Sequence, residues 1–309
     1  MGTAVENLRE LMAQPGAHVM PACFDALSAR MIERAGFKAT FMSGFAVSAA
    51  RLGLPDTGLI SYAEMLEQGR NICSATSIPV IGDADTGYGN ALNVMRTVRE
   101  YERAGVAGIH IEDQEMPKRC GHFFGKSLIN KEEMVGKLKA ALDARKDEDF
   151  MIIARTDART AVGFEEALDR AHAYAEAGAD VIFFESPRSI EELTEVPKAI
   201  GKPVLANMVE TGLTPLLSAQ ELQELGYGVV IFAGGLARFL ARQAQGFLQN
   251  LKDTGTTEAY MDRMNSFQEH NELLELPKFD ELAKKYSKVS AAPVSYTHLR
   301  ANETEADLV

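Results

Sequence analysis

Cysteine is scarce in this chain, with only Cys23, Cys73 and Cys120 in 309 residues. Three thiols cannot all pair, and none stands in a CxxC or Cys/His zinc spacing, so neither a disulfide framework nor a zinc module is the basis of the fold. Such usage suits a reducing compartment. Long apolar runs are missing too: no stretch reaches the ~18 consecutive apolar residues of a spanning helix. The opening MGTAVENLRELMAQPG carries Glu6 and Glu10 and has no apolar core of the kind a signal peptide needs. These absences lead us to expect a cytoplasmic protein without a membrane partner. Positive charge is also in deficit, with 32 Lys and Arg against 44 Asp and Glu, a formal net charge of -12 and a pI near 5.1. Nucleic acid or an anionic membrane would be repelled at long range. A small anionic substrate is not excluded, because a bound metal inverts the local field.

What is present is a large apolar fraction, 46% of residues, enough for one barrel-sized core. From Ala17 to about Leu251, short runs rich in Val, Ile, Phe and Ala alternate with longer segments of helical period, the pattern of repeated βα units. Strands are expected at His18 to Pro21, Ala39 to Ser43, Pro79 to Asp83, Gly108 to Glu112, Met151 to Arg155, Val181 to Glu185, Val204 to Asn207 and Val229 to Phe232. Three helices end in a related phrase, ERAGF, ERAGVAG and AEAGAD, whose glycine supplies a left-handed C-cap. A (β/α)8 TIM-type barrel over residues 1–252 is the expected fold, and a doubly wound open sheet is its competitor. The barrel is favoured because Asp25, Ser43, Asp83, Asp85, Glu112, Arg155, Glu185 and Asn207 all stand at or just after strand ends, which converge on one mouth only in a barrel. One or two of them could instead cap the following helix. Residues 253–290 read as a helical extension broken near Pro277, packing on the barrel's base or on a neighbouring subunit. The stretch 291–309 has no periodicity, and from about Val294 it reads as a vector-derived tail.

Four constellations carry chemistry. In GDADTGYGN, Asp83 and Asp85 are two apart at a strand end, and strand alternation would aim both carboxylates at one point. With Glu112 of GIHIEDQ they make a hard-oxygen set that suits Mg2+, with Mn2+ as an alternative; an Asx-turn with a helix cap explains only one of the aspartates. In MPKRCGHFFGK, Lys118, Arg119, His122 and Lys126 surround Cys120, and positive neighbours lower a thiol pKa. Gly121 and Gly125 give this loop freedom to close. In ARTDART, Arg155 suits bidentate carboxylate recognition, with an ion pair to Asp157 or Glu185 as a compatible structural role. In FMSGFAVSAARLGLPDTG, Ser43 and Gly44 can present a hydroxyl and backbone N–H groups to an anion, while Asp56 sits in a Pro-Asp turn and divides evenly between turn and metal roles.

The phrases MSG, LPDTG, DADTGYG, IEDQ, KRCGH with a following GK, ARTDA and FES, in this order, resemble the isocitrate lyase and phosphoenolpyruvate mutase superfamily. KRCGH looks like its lyase branch, and FMSGFAVSAARLGLP, CGHFFGK and HNELLEL are most similar to the 2,3-dimethylmalate lyase and petal-death-protein group. The resemblance implies a Mg2+-dependent carbon–carbon lyase acting on a small 2-hydroxy di- or tricarboxylate such as a 2-alkylmalate or 2-methylisocitrate. It also implies a homodimer or homotetramer that exchanges the eighth helix. Asp85 would ligate the metal directly, with Asp83, Asp56 and Glu112 holding its waters. Ser43, Gly44 and Phe45 would meet the 2-keto-acid carboxylate together with Arg155, while Gly121, His122, Glu185 and Asn207 would contact the departing carboxylate or the loop. Cys120 would be the general acid, with Lys118 in the same catalytic loop. The sequence departs from other lyases at Phe41, Phe45, Val209 and Ala233 to Gly235, positions that bear on the substrate's side chain. Oxaloacetate hydrolysis or decarboxylation is the rival activity on this scaffold. Phosphonopyruvate chemistry, or a binding protein with Cys120 as a redox switch, ranks below it.

Overall fold

The computed structural model describes residues 2–123 and 125–287. Its frame is a closed barrel of eight parallel strands in sequence order: β1 His18–Cys23, β2 Thr40–Met42, β3 Val80–Asp83, β4 Gly108–Glu112, β5 Met151–Thr156, β6 Val181–Phe184, β7 Val204–Asn207 and β8 Val229–Phe232. β1 pairs with β8, His18 opposite Val229, and this pairing rules out the open sheet. All eight expected strands are present, with some ends moved by a residue or two. Their residues are almost uniformly buried, as parallel strands covered on both faces must be.

Helical spacing explains how the outer layer packs. Val94, Val98 and Tyr101 on the helix Ala91–Arg103, and Met134, Leu138 and Ala141 on Lys131–Ala144, recur every three or four residues and are buried against the barrel. The three repeated phrases end as expected: Gly36, Gly105 and Gly178 have φ of 90, 92 and 106°. The helix Gly235–Thr254 breaks this pattern. It has no buried residue, and Phe239, Leu248 and Leu251 are exposed on it.

A second compact unit begins at Glu258. It holds a 3-10 segment, Glu258–Arg263, and the helices Phe267–Leu273 and Leu276–Tyr286, with Pro277 in the first turn of the last helix and left-handed Glu275 just before it. The expected vector-derived tail from Val294 lies outside the described residues. Among the described residues no helix is long and apolar enough to cross a membrane.

The helix-ending glycines can be tested singly. A Cβ at Gly36 would meet nothing within 4 Å, so Gly36→Ala should cost only the left-handed penalty of about 1–2 kcal/mol. Gly178→Ala should cost more, because its Cβ would lie 2.9 Å from Leu142 Cδ1. Urea unfolding of both variants checks the order, and equal losses would contradict it.

Candidate active site

The C-terminal strand ends surround a cavity of about 310 Å³ lined by Ser43, Asp56, Asp83, Cys120, Gly121, His122, Arg155, Glu185 and Asn207, with Phe45, Val209, Leu213, Ile231 and Ala233 as apolar wall. Asp25 is absent from the lining: its carboxylate accepts the Ser28 N–H and caps the next helix. Ser43 does both jobs, capping Ala46 N while facing the cavity.

One side of the mouth is acidic. Asp83 ends β3 and accepts the Gly44 N–H on Oδ2 at 2.9 Å and the Asp85 N–H on Oδ1 at 3.0 Å, with His110 Nε2 2.8 Å from Oδ1. Burial disfavours its charge, yet His110 and these donors hold the carboxyl well below the usual range. The close approach explains Gly44, where a Cβ would lie 2.6 Å from Asp83 Oδ2. It also means that the Gly44 N–H is already spent. Strand alternation does not account for Asp85, because β3 stops at Asp83 and Asp85 turns left-handed at φ 46°. Its carboxylate points instead at Lys118, whose Nζ lies 2.6 Å from both Asp85 Oδ1 and Asp56 Oδ1. Asp56 is therefore part of the cluster and not merely a turn residue.

Asp56 Oδ1 and Asp85 Oδ1 share the one ammonium of Lys118, and Glu112 Oε1 is buried without a hydrogen-bond partner. Burial, eased by Lys118 and aggravated by Asp83 and Asp56, pushes the Asp85 carboxyl up to about 6. Burial pushes Glu112 well up despite Arg155. Such hard oxygens, short of positive charge, fit a divalent cation. Among the described residues no three His, Cys, Asp or Glu side chains converge into an all-protein cage. That suits Mg2+, which typically takes one or two carboxylates and keeps its waters.

The other side is organised by Arg155. Its Nε and Nη2 hold Asp157 at 2.9 and 3.1 Å, with Glu112 at 3.4 Å and Glu185 at 3.3 Å, and its guanidinium lies over the Phe183 ring at 4.9 Å. Both ion pairs considered from the sequence are thus formed together. Burial opposes the Glu185 charge, but Arg155 and then His122 hold its carboxyl below the usual range. Asn207 donates to Glu185 at 3.2 Å, leaving its own Oδ1 without a partner. His122 Nδ1 accepts the Leu213 N–H at 3.1 Å, so the neutral ring carries its proton on Nε2, 3.4 Å from Glu185 Oε1.

Cys120 differs from its expected state. Burial, opposed by the His122 N–H and reinforced by Asp56 and Glu185, pushes its thiol up to about 11. The cations that should have lowered it are committed elsewhere: Lys118 to Asp56 and Asp85, Lys126 to Asp157 at 3.0 Å. A protonated thiol is a proton donor and a poor nucleophile. Gly121 is needed beside it, since a Cβ there would lie 2.5 Å from Arg155 Nη2. Cys23 and Cys73 are raised to about 12 chiefly by burial, as expected of inert thiols.

Sequence reasoning passed over His110, whose ring stacks on Phe41 at 5.4 Å and supports Asp83. Its place two residues before Glu112 on one strand was the available signal. Asp113 was missed as well, although it accepts from Thr156 Oγ1, Asp157 N and Tyr174 OH and so sets the base under Arg155.

The family described as phosphoenolpyruvate phosphomutase matches residues 8–252. The chain is 49% identical over 287 residues to the 2,3-dimethylmalate lyase of Eubacterium barkeri, covering 93% of this chain and 99% of that protein. A crystal structure of 2,3-dimethylmalate lyase, described as a PEP mutase/isocitrate lyase superfamily member, superimposes with a TM-score of 0.87 at 36% identity over 92% of this chain and 96% of the other. An oxaloacetate acetylhydrolase bound to 3,3-difluorooxalacetate does so with a TM-score of 0.87 at 34% identity, covering 92% and 97%. The match takes in the whole barrel and a lyase shares nearly half the residues, so this chain belongs to the phosphoenolpyruvate mutase/isocitrate lyase superfamily, in its lyase branch.

Proposed function

We propose that the chain cleaves the C2–C3 bond of 2,3-dimethylmalate or a close 2-alkylmalate, releasing pyruvate or a related 2-keto acid and a second carboxylate. The observation that carries this reading is the half-buried Cys120 thiol, its pKa pushed up, facing the same cavity as Arg155, His122 and Asn207. Bond opening leaves an enolate-like carboxylate dianion at C3. Arg155, the Nε2–H of His122 and the Asn207 amide are fixed donors for that charge, and donors set in advance in a dry site need no reorganisation. As C2 becomes the keto carbonyl its hydroxyl proton passes to water, Cys120 gives its proton to C3 as general acid, and the thiolate left behind is reprotonated from water, so that no net proton is gained or lost. Ser43 and the backbone at Phe45 are assigned to the keto-acid end, the Gly44 N–H being taken by Asp83. Mg2+, held by Asp85 with Asp56, Asp83 and Glu112 around it, would supply Lewis-acid charge to the oxygens of the 2-hydroxy acid.

The wall formed by Phe45, Val209, Leu213, Ile231 and Ala233 supports an alkyl group on C3 over a third carboxylate, which would meet no free cation there. Arg238, at the cavity rim, is already held by the Glu210 carbonyl at 2.7 Å and by Thr211 Oγ1 at 3.2 Å. The likeness to an oxaloacetate acetylhydrolase supports a second reading, hydrolysis of oxaloacetate, in which the departing carbon would also take a proton, so the apolar wall and not the thiol separates the two readings. The uncovered apolar residues of the helix Gly235–Thr254 support a homo-oligomer in which this helix packs on a neighbouring copy. A cytoplasmic setting fits the unpaired thiols.

The deciding assay follows 2-keto-acid release with Mg2+ from 2,3-dimethylmalate, 2-methylisocitrate and oxaloacetate. Pyruvate from the first at the highest kcat/KM is expected, and turnover of oxaloacetate alone would overturn the reading. Cys120→Ser should lower kcat by roughly 10²–10⁴-fold while leaving pyruvate binding in place; normal turnover would remove the acid from Cys120. EDTA should abolish cleavage, and Mg2+ or Mn2+ should restore it, whereas activity surviving EDTA would remove the metal assignment.

A further inference from the structure

Lys126 stands on the returning arm of the Cys120 segment, and its side chain is 1% exposed in contact with a fully buried Asp157. Its Nζ donates to Asp157 Oδ1 at 3.0 Å and also to the backbone carbonyl of Gly121, next to Cys120. The same Asp157 Oδ1 accepts from Arg155 Nη2 at 3.1 Å. One carboxylate oxygen therefore joins the ammonium that grips the thiol-bearing segment to the guanidinium that faces the cavity. Asp157 itself cannot drift, because its backbone N–H donates to Asp113 Oδ1 at 2.9 Å and the Thr156 hydroxyl donates to Asp113 Oδ2 at 2.8 Å. The arms of the segment are tied independently, by Glu115 N to Ser127 O at 2.9 Å and Ile129 N to Asp113 O at 3.0 Å. Around Cys120 itself, Gln114 bonds the Arg119 backbone and the Cys120 N–H donates to the Asp56 carbonyl, and Lys126 adds the hold on the Gly121 carbonyl from beneath.

We infer that Lys126 is a positioning residue: by bonding the Gly121 carbonyl and Asp157 at once, it sets where the Cys120 thiol stands relative to Arg155, and it does not activate the thiol. The reading of Cys120 as general acid is what gives this placement a catalytic consequence, but the placement itself is separable from it.

The two roles for Lys126 predict opposite signs in one experiment. A cation that activates a thiol raises its thiolate fraction, so removing it slows alkylation. A cation that holds the thiol in a buried place speeds alkylation when removed, in spite of the lost charge. Lys126→Met and Lys126→Gln are treated with iodoacetamide in the absence of ligands, and labelling of Cys120 and of buried Cys23 is followed by peptide mass spectrometry. The expected result is at least a tenfold faster reaction at Cys120, no change at Cys23, and near wild-type protection in Lys126→Arg. Asp157→Asn should also expose Cys120, and the Lys126→Met/Asp157→Asn double variant should label no faster than the quicker single, since both act through one contact. Slower or unchanged labelling at Cys120 overturns the inference. So does a parallel rise at Cys23, which would make Lys126 a support of the whole fold. Labelling needs no turnover, so its outcome is decided separately from the dimethylmalate assay.

Discussion

The pairing of Arg155 with Asp157 is the contact on which the mouth of the barrel depends. A buried ion costs several kcal/mol unless its charge and hydrogen-bonding capacity are met. Here the guanidinium is met by Asp157 in a two-point contact and shared at longer range with Glu112 and Glu185. Those three carboxylates come from the ends of β4 and β6 and from the turn after β5, so one cation braces three consecutive corners of the barrel. Asp157 in turn is seated by Asp113, which also takes bonds from Tyr174 and Arg170 on the helix Phe164–Glu176. The chain of support runs from the outer helical layer, through a buried carboxylate, to the guanidinium that lines the cavity.

That same economy of charge divides the site into two halves of different character. Lys118 serves Asp56 and Asp85, and Lys126 and Arg155 serve Asp157, with Glu185 attached to Arg155. On the Arg155 side the carboxyls of Asp157 and Glu185 are held low, so their charges are balanced. Asp85 and Glu112 are pushed up, chiefly by burial and further by neighbouring carboxylates. A divalent cation beside Asp85 and Glu112 would favour their charged forms. The field it would invert is local, which would reconcile an anionic substrate with a chain of net charge -12.

The barrel was legible because its signals are local. Apolar runs of strand length, helical spacing in Val94, Val98 and Tyr101, and a glycine at each repeated helix end follow from backbone geometry and burial. Strand-end residues were legible in the same way, and most of them reach the cavity. What could not be read is how charges separated along the chain choose one another. Tyr174 lies 61 residues from Asp113, and Leu213 lies 91 residues from the His122 ring that accepts its N–H. The state of Cys120 was misread for this reason: its basic neighbours in sequence are real, but folding hands two of them to distant aspartates. Asp85 escaped strand logic because a left-handed residue ends the alternation.

The thiol's resulting state bears on how a lyase uses it. An acid that must protonate a carbanion has to be undissociated while the bond breaks, and a thiol near 11 meets that condition at any physiological pH. A raised pKa also makes it a weaker acid in the ground state, so transfer must be driven by the basicity of the carbanion and by proximity. Proximity is what the surroundings supply. Gly121 allows the segment to lie against Arg155 and Glu185 where a Cβ would collide, and the Cys120 N–H donates to the Asp56 carbonyl at 3.2 Å. Cys120 is thereby held between Asp56 and the Arg155 side of the mouth, which on the proposed function is where the carbon that needs a proton would stand.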